Sequence, residues 1–460
     1  MSEASRAEVT VPVELHDRSS KQPSNTAQAL AREPDEHNAS MPTAEDVEVQ
    51  ANSKLEKADL IRLIASGFAF FCSGINDGSL GPLIPYVLQE YHVNTNFVSI
   101  VYGVTFFGWF TAAATNAHLT QIFDLGSILT IGAILQLVAH CLRAWNPPFG
   151  LFAASFWFAH LGQAYQDMHA NSWVATVKAA HRWLGFIHAM YMAGCLVGPF
   201  VATGVASANS VSKWYLFYTF PTGLCVINVA ATAYAFRNTL AIKKKGRSLD
   251  DHVVATAHTQ SRNKNAVKEI RETLKLRSVW ILALYFFFFL GVAITAGGWV
   301  VTYLVDVRKG DLADMGYVPA GYYGGAFVGR LVLAEPTHCF GERLMISIYV
   351  VICLALQLLF WLVPSIIVGA VTISLLGFFS GPFFATGISV GSKLFPRHIQ
   401  HSALAVVFVV GQIGGSVFPA ITGLIAARSG VSVLQPILVG LICATGLTWL
   451  ILPRVNKHQE

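Results

Sequence analysis

Twelve apolar runs, each long enough to cross a bilayer, leave this chain very few folds. A spanning helix needs about 20 mostly apolar residues, and in hydrocarbon only helices and closed barrels satisfy their own backbone. The runs predict helices at roughly 61–88, 96–117, 125–144, 149–176, 184–207, 214–236, 278–305, 317–336, 343–363, 366–393, 402–427 and 431–452. Composition agrees: 12% of residues are charged, against about 25% in soluble chains. Most of the surface therefore does not face water. The expected fold is an all-α integral membrane protein.

The polar segments divide the chain. Residues 1–58 are read as a disordered cytosolic tail, because the first 60 carry twelve acidic and six basic residues and no apolar core of the kind a leader needs. A polar stretch from Arg237 to Arg277 splits the spans six and six, giving halves at 59–236 and 278–453 around a cytosolic central loop at 237–277, with a short tail at 454–460. With the amino terminus inside, internal loops and helix ends hold seventeen Lys or Arg. The external side holds Arg143, Lys213, Arg308, Lys309 and Arg428. That asymmetry places both termini in the cytosol. The halves also repeat: Gly162, Lys178 and Arg182 recur as Gly377, Lys393 and Arg397, and Gly126 as Gly341, all 215 residues later. Two parallel six-helix repeats are the architecture of major facilitator transporters.

Chemistry in such a chain is expected where a costly group is kept inside the membrane. Asp77 and Asp167 are the acidic residues placed deep in spans, and both are candidate proton carriers. Asp77 lies in a stretch broken by Gly74, Gly78, Gly81, Pro82 and Pro85, and membranes tolerate such breaks where backbone lines a cavity or meets another helix. Asn76 adjoins it. Gln163, Gln166, Asp167 and Asn171 share a broad face at helical spacing, and amides beside a carboxylate suit a hydroxyl-rich solute. Asn76, Gln163, Gln166, Asn171 and Trp299 are the candidate solute contacts. Of the histidines within spans, His118, His140, His160, His169 and His188, the one next to Asp167 is favoured as a relay. Lys178, Arg182, Lys393 and Arg397 are read as anchors of cytosolic helix ends.

The motifs resemble one family. Asn76-Asp77 followed by Gly81-Pro82-Leu83-Ile84-Pro85 looks like helix 1 of the fucose permease-like major facilitator proteins, in particular their fungal branch. Gly162, Asp167 and Asn171 fit its helix 4, Gly297-Gly298-Trp299 with Tyr303 its helix 7, and Gly321-Tyr322-Tyr323-Gly324-Gly325 with Gly329-Arg330 and Gly341-Glu342-Arg343 its helix 8 region. The resemblance implies proton-coupled sugar uptake, with coupling and sugar binding on Asp77 and Asp167. The chain departs from the pattern at Ala293, where family members carry Glu, and between helices 2 and 3, where His118 to Gly126 holds no Lys or Arg.

The expected function is secondary transport of a small solute by alternating access. Export of a fungal metabolite or drug is the alternative, since Gly194, Gly198 and Pro199 resemble a helix 5 motif of drug–proton antiporters; a non-transporting sensor is the second. No nucleophile–base pair, phosphate-binding loop or metal spacing stands out, and the seven cysteines read as packing residues, so no enzyme, cofactor, metal or nucleic-acid partner is expected. The partners are the solute, protons and the lipid bilayer. The protein is expected to be a plasma-membrane monomer.

Overall fold

Proline and glycine, weak formers of soluble helices, set the packing of the first span. The computed structural model describes residues 57–453 except 210, 243–268 and 270, with backbone only at 181 and 401. The predicted terminal tails and most of the central loop lie outside the described residues. Twelve long helices stand at the expected places among those described. They are α1 (Lys57–Glu90), α2 (Thr95–Ile122), α3 (Leu125–Arg143), α4 (Phe149–Val174), α5 (Ala180–Ser207), α6 (Trp214–Ala235), α7 (Arg277–Asp306), α8 (Val318–Val332), α9 (Glu342–Leu362), α10 (Ile366–Leu394), α11 (Gln400–Ser429) and α12 (Leu434–Ile451). The first turn of α6 is a 3-10 segment, and α10 breaks between Ser380 and Phe383.

Ten of these helices are long and apolar enough to cross a membrane by length and composition. The two others are α8, only 15 residues long, and α4. The latter has the length but carries Gln163, Gln166, Asp167 and Asn171 along it. Its low hydropathy thus has the same cause as its interest.

Helix ends follow local chemistry. Asn94 caps α2 by accepting from the Asn96 N–H at 3.0 Å, and Ser365 caps α10 through Val368. Gly341 turns into α9 at φ +96°, a conformation natural to glycine. Its counterpart in the repeat, Gly126, is needed for space instead, since a Cβ there would press on the Phe236 carbonyl at 2.5 Å. α2 runs five residues past its expected end, to Ile122. The α2–α3 turn is then pinned by the start of the central segment, with the Asp124 N–H donating to the Ala241 carbonyl at 3.1 Å and that of Gly126 to Thr239 Oγ1 at 3.1 Å. Backbone N–H donors bonded to the central segment help hold this turn, where the sequence offers no basic residue.

α1 and α5 interlock through reciprocal glycines. A Cβ on Gly74 would fall on the Tyr191 carbonyl, and one on Gly194 would fall on that of Phe71. A Cβ on Gly198 would stand 2.9 Å from the Ile75 carbonyl in the same sense. Small residues let membrane helices approach this closely. The glycines of the antiporter-like motif therefore position α5 against the Asp77 segment.

The two halves meet most tightly at the end where α1 stops and α2 begins. There Thr95 Oγ1 donates to the Gly423 carbonyl at 2.9 Å, Tyr102 packs on Gly298, and a Cβ on Gly81 would strike the Gly297 carbonyl. This side is closed. Gly81→Val is expected to prevent that closure, because the obstacle is α7 backbone and cannot yield. In a Ser99→Cys background, labelling by an impermeant maleimide from the α1–α2 side should rise severalfold; unchanged labelling would show that the contact does not seal this face.

Candidate functional site

Asp77 sits about 30 Å along α1 at 1.5 Å per residue, near the middle of the span. Its two carboxylate oxygens gather donors from three helices. Oδ1 accepts from Asn76 Nδ2 at 2.9 Å and faces His160 Nε2 at 3.4 Å. Oδ2 accepts from Gln163 Nε2 at 2.9 Å and from the Tyr191 hydroxyl at 2.8 Å. Three neutral donors and an imidazole suit a carboxylate that ionises inside the membrane.

His160 fixes where a proton must be. Its Nδ1 lies 2.8 Å from the Phe156 carbonyl, which can only accept, so Nδ1 carries hydrogen. Neutral imidazole then has a bare lone pair on Nε2, 3.4 Å from Asp77 Oδ1. Two lone pairs at that distance repel. The contact is favourable only when one further proton sits between them, on either atom. Such an arrangement can hold one proton between His160 and Asp77, with the ring held by the backbone.

A cation stands behind this pair. The Arg143 guanidinium, wholly buried, donates from Nη1 to Asn76 Oδ1 at 2.9 Å and from Nε to Ser155 Oγ at 2.7 Å. It also lies 3.6 Å from the centre of the Phe156 ring. Asn76 relays between cation and carboxylate, accepting from Arg143 and donating to Asp77. Reading Arg143 as an external loop charge is therefore a correction: it ends α3 but its side chain turns into the bundle. Burial within reach of an aromatic face and two polar acceptors outweighs the hydration available outside.

Asp167 lies one helical turn beyond Gln163, toward the α1 amino-terminal side. Its Oδ1 is buried with no hydrogen-bond partner. Arg330, on α8 of the other half, occupies the corresponding layer. Its Nη1 donates to the His188 carbonyl at 3.3 Å, and His188 precedes Tyr191 by one turn. Arg330 was among the seventeen charges counted to internal loops and helix ends; it too sits inside the bundle.

The five candidate solute contacts separate. Asn76 and Gln163 join Asp77 directly. Gln166 is fully buried on the opposite side, bonded to Gln136 at 2.8 Å, Asn228 at 3.2 Å and the Leu129 carbonyl at 3.0 Å. It ties α3, α4 and α6 together, and its burial in that seam keeps it from a solute. Asn171 donates to the Asp167 carbonyl of its own helix at 2.9 Å. Trp299 is 0% exposed, with Nε1 on the Pro419 carbonyl at 3.1 Å, so it belongs to the packing near the closed face. His169, favoured by sequence, bonds Asn116 at 2.7 Å. The histidine on Asp77 is His160, and its spacing held a signal: 160, 163, 167 and 171 run along one helical face. Tyr191 and Arg143 offered no such signal.

A family model for the Major Facilitator Superfamily matches residues 67–419. The chain belongs to this superfamily. It is 25% identical over 420 residues to Bypass of stop codon protein 6 of Saccharomyces cerevisiae, covering 87% of this chain and 84% of that protein. Among solved structures it resembles a bacterial homologue of the human lysosomal transporter Spinster in an inward-facing, occupied conformation. That likeness has a TM-score of 0.64 and 11% identity, over 88% of this chain and 98% of the other. A peptide transporter, POT, is similar at a TM-score of 0.63 and 10% identity, over 85% and 93%. These likenesses give the fold: a multi-pass membrane transporter of two six-helix repeats, not an enzyme. The family match does not extend to the narrower fucose permease-like group.

Proposed function

We propose that this major facilitator protein couples movement of a small polar solute to protons carried by the Asp77–His160 pair, with Asp167 as a second proton station. The observation that carries this reading is the 2.8 Å contact of His160 Nδ1 with the Phe156 carbonyl, which assigns the ring hydrogen to Nδ1 and leaves the Thr105 hydroxyl, 3.4 Å away, as a further acceptor. Because the Phe156 carbonyl takes that hydrogen, the Nε2–Oδ1 contact needs a second proton to be stable, and losing it makes the contact repulsive. Loading and unloading the proton therefore changes how α1 and α4 attract each other. Both helices lie in one half and line its face toward the other, so the change bears on the rocking that exchanges access. Gln163 and Tyr191 hold the carboxylate in place while the proton moves.

Sugar-like uptake, the reading given by the helix 1 motif, loses support from the amides. Gln166 and Trp299 are committed to packing, and Asn76 to Arg143. What remains favours proton coupling over hydroxyl recognition. The charge asymmetry that favours both termini in the cytosol survives the two arginines inside the bundle, since five external charges become four and seventeen internal ones sixteen. The closed α1–α2 side is then external. A single chain contains the whole site, consistent with a functional monomer.

The test is solute-driven proton movement in vesicles carrying the purified protein, followed with an interior pH dye. The wild-type protein should move protons with solute. His160→Gln should reduce that flux severalfold while solute exchange in the absence of a gradient persists. Proton flux equal to wild type in His160→Gln would refute the pair as the carrier.

A further inference from the structure

We infer that Arg330 is the anchor for a carboxylate-bearing solute with an apolar body. The inference rests on the transporter reading and adds the class of its solute. An arginine inside a membrane span is costly and is kept where it meets a counter-ion or a moving ligand. Among the described residues, Arg330 has no carboxylate in hydrogen-bond or ion-pair contact. Its protein partners are two backbone carbonyls, Gly381 from Nε and His188 from Nη1, both at 3.3 Å. Those bonds are long for a charged donor, and Nη2 has none. Arg143 differs in what it reaches: Asn76 links it to Asp77, although its own Nη2 is buried without a partner.

The position is that of a solute site. Arg330 belongs to α8, while His188 belongs to α5 of the other half, so the guanidinium spans the interface between the halves. Tyr323 lies seven residues earlier on α8, on the same helical face, and its hydroxyl packs against Gly297. Tyr191, which donates to Asp77, is one turn from His188. The cation is therefore in the layer next to the proton pair, on the half that carries no acidic group of its own at this depth.

The surroundings select the rest of the solute. The Phe384 ring lies 5.8 Å from the guanidinium and packs on Phe286 and Phe408 with centroids 5.4 and 5.5 Å apart. The His188 ring stands 5.2 Å from Phe384. A guanidinium fork beside an aromatic wall suits a carboxylate, which takes two parallel N–H donors, followed by an aliphatic or aromatic body. An uncharged polyol would gain little from either. A bound carboxylate would also compete with the His188 carbonyl for Nη1. Anion binding thereby exchanges a bond between the halves for a bond to the solute, which links occupancy to movement.

The experiment is thermal stability of the purified full-length protein with lactate, mandelate and 3-phenyllactate, each beside its uncharged amide, and with glucose and mannitol. At least one carboxylate should stabilise the wild type saturably where its amide does not, with the aromatic acids ahead of lactate. Arg330→Lys should weaken the apparent affinity by about tenfold, as a point charge replaces a bidentate fork, and Arg330→Gln should abolish the difference between acid and amide. Equal effects of acids and amides on the wild type, or undiminished acid binding in a folded Arg330→Lys protein, would overturn the inference. The two readings fail separately. Proton-coupled flux of an uncharged solute without acid binding would remove Arg330 as anchor and leave the coupling intact. Acid binding together with wild-type proton flux in His160→Gln would do the reverse.

Discussion

Accumulation of solute against its gradient is expected to vanish in Asp77→Asn, while exchange of solute across the same membrane continues. The distinction follows from the geometry. Asn keeps a side chain of the same size between Asn76, Gln163 and Tyr191, so the cavity keeps its shape. It cannot take the proton that His160 presents. One of its two polar atoms is now a donor facing the Gln163 amide and Tyr191 hydroxyl, or facing Asn76, so at least one bond is lost. Exchange needs only that the loaded carrier reorient, whereas accumulation needs the proton to leave on one side and return on the other. Counterflow with labelled solute, run beside proton-driven uptake in the same vesicles, separates the two. Undiminished accumulation in Asp77→Asn would reject the carboxylate as carrier, and His160 with it. Loss of both activities in a well-folded protein would make Asp77 a solute contact instead.

Much of this fold was legible because bilayer thickness imposes a single length on every span, and hydropathy reports that length directly. Ends were less legible. α2 runs on to Ile122 since nothing polar stops it, and its turn is held by residues of the central segment that no local pattern could pair with it. The site was legible where a costly group stands alone in an apolar run, as Asp77 and Asp167 do. Amides gave mixed results for a physical reason. Gln163 and Gln166 lie on one broad face by spacing, yet helix packing turns the first toward Asp77 and the second toward Gln136 and Asn228. Three residues are a rotation of about 300°, and the 60° between them is enough to separate a cavity from a packed seam. The arginines were misplaced because Arg143 stands at a helix end and Arg330 at the edge of a short helix, where long side chains ordinarily reach water. Their depth depends on what neighbouring helices offer, and a linear sequence does not display that.

Arg143 gives the means to separate what Asp77 does for stability from what it does for transport. Removing one member of a buried charge pair typically costs about 3–5 kcal/mol, because the survivor stays buried without compensation. The two single variants should not cost the same. In Arg143→Met, Asp77 still has His160, which can hold a proton and serve as its cation, besides three neutral donors. In Asp77→Asn, Arg143 is left with Asn76, Ser155 and the Phe156 ring, and no group can neutralise a guanidinium that does not deprotonate. The Asp77 variant is therefore expected near the upper end of that range and the Arg143 variant near the lower. Methionine follows the arginine stem only about as far as Nε, so the Arg143 value also carries the space that the guanidinium leaves beside Phe156. Combining the two removes both charges at once, and the double variant should be more stable than Asp77→Asn alone by about 1–3 kcal/mol, the range of coupling between residues sharing one network. Unfolding of the four proteins in the same detergent measures this cycle. Proton-driven accumulation should remain absent in the double variant, since the carrier is still missing. Recovered stability without recovered accumulation would show that Asp77 is required for chemistry that packing cannot replace. Recovery of both would mean that the Asp77 variant failed for want of a folded site, and the proton would have to travel by another group.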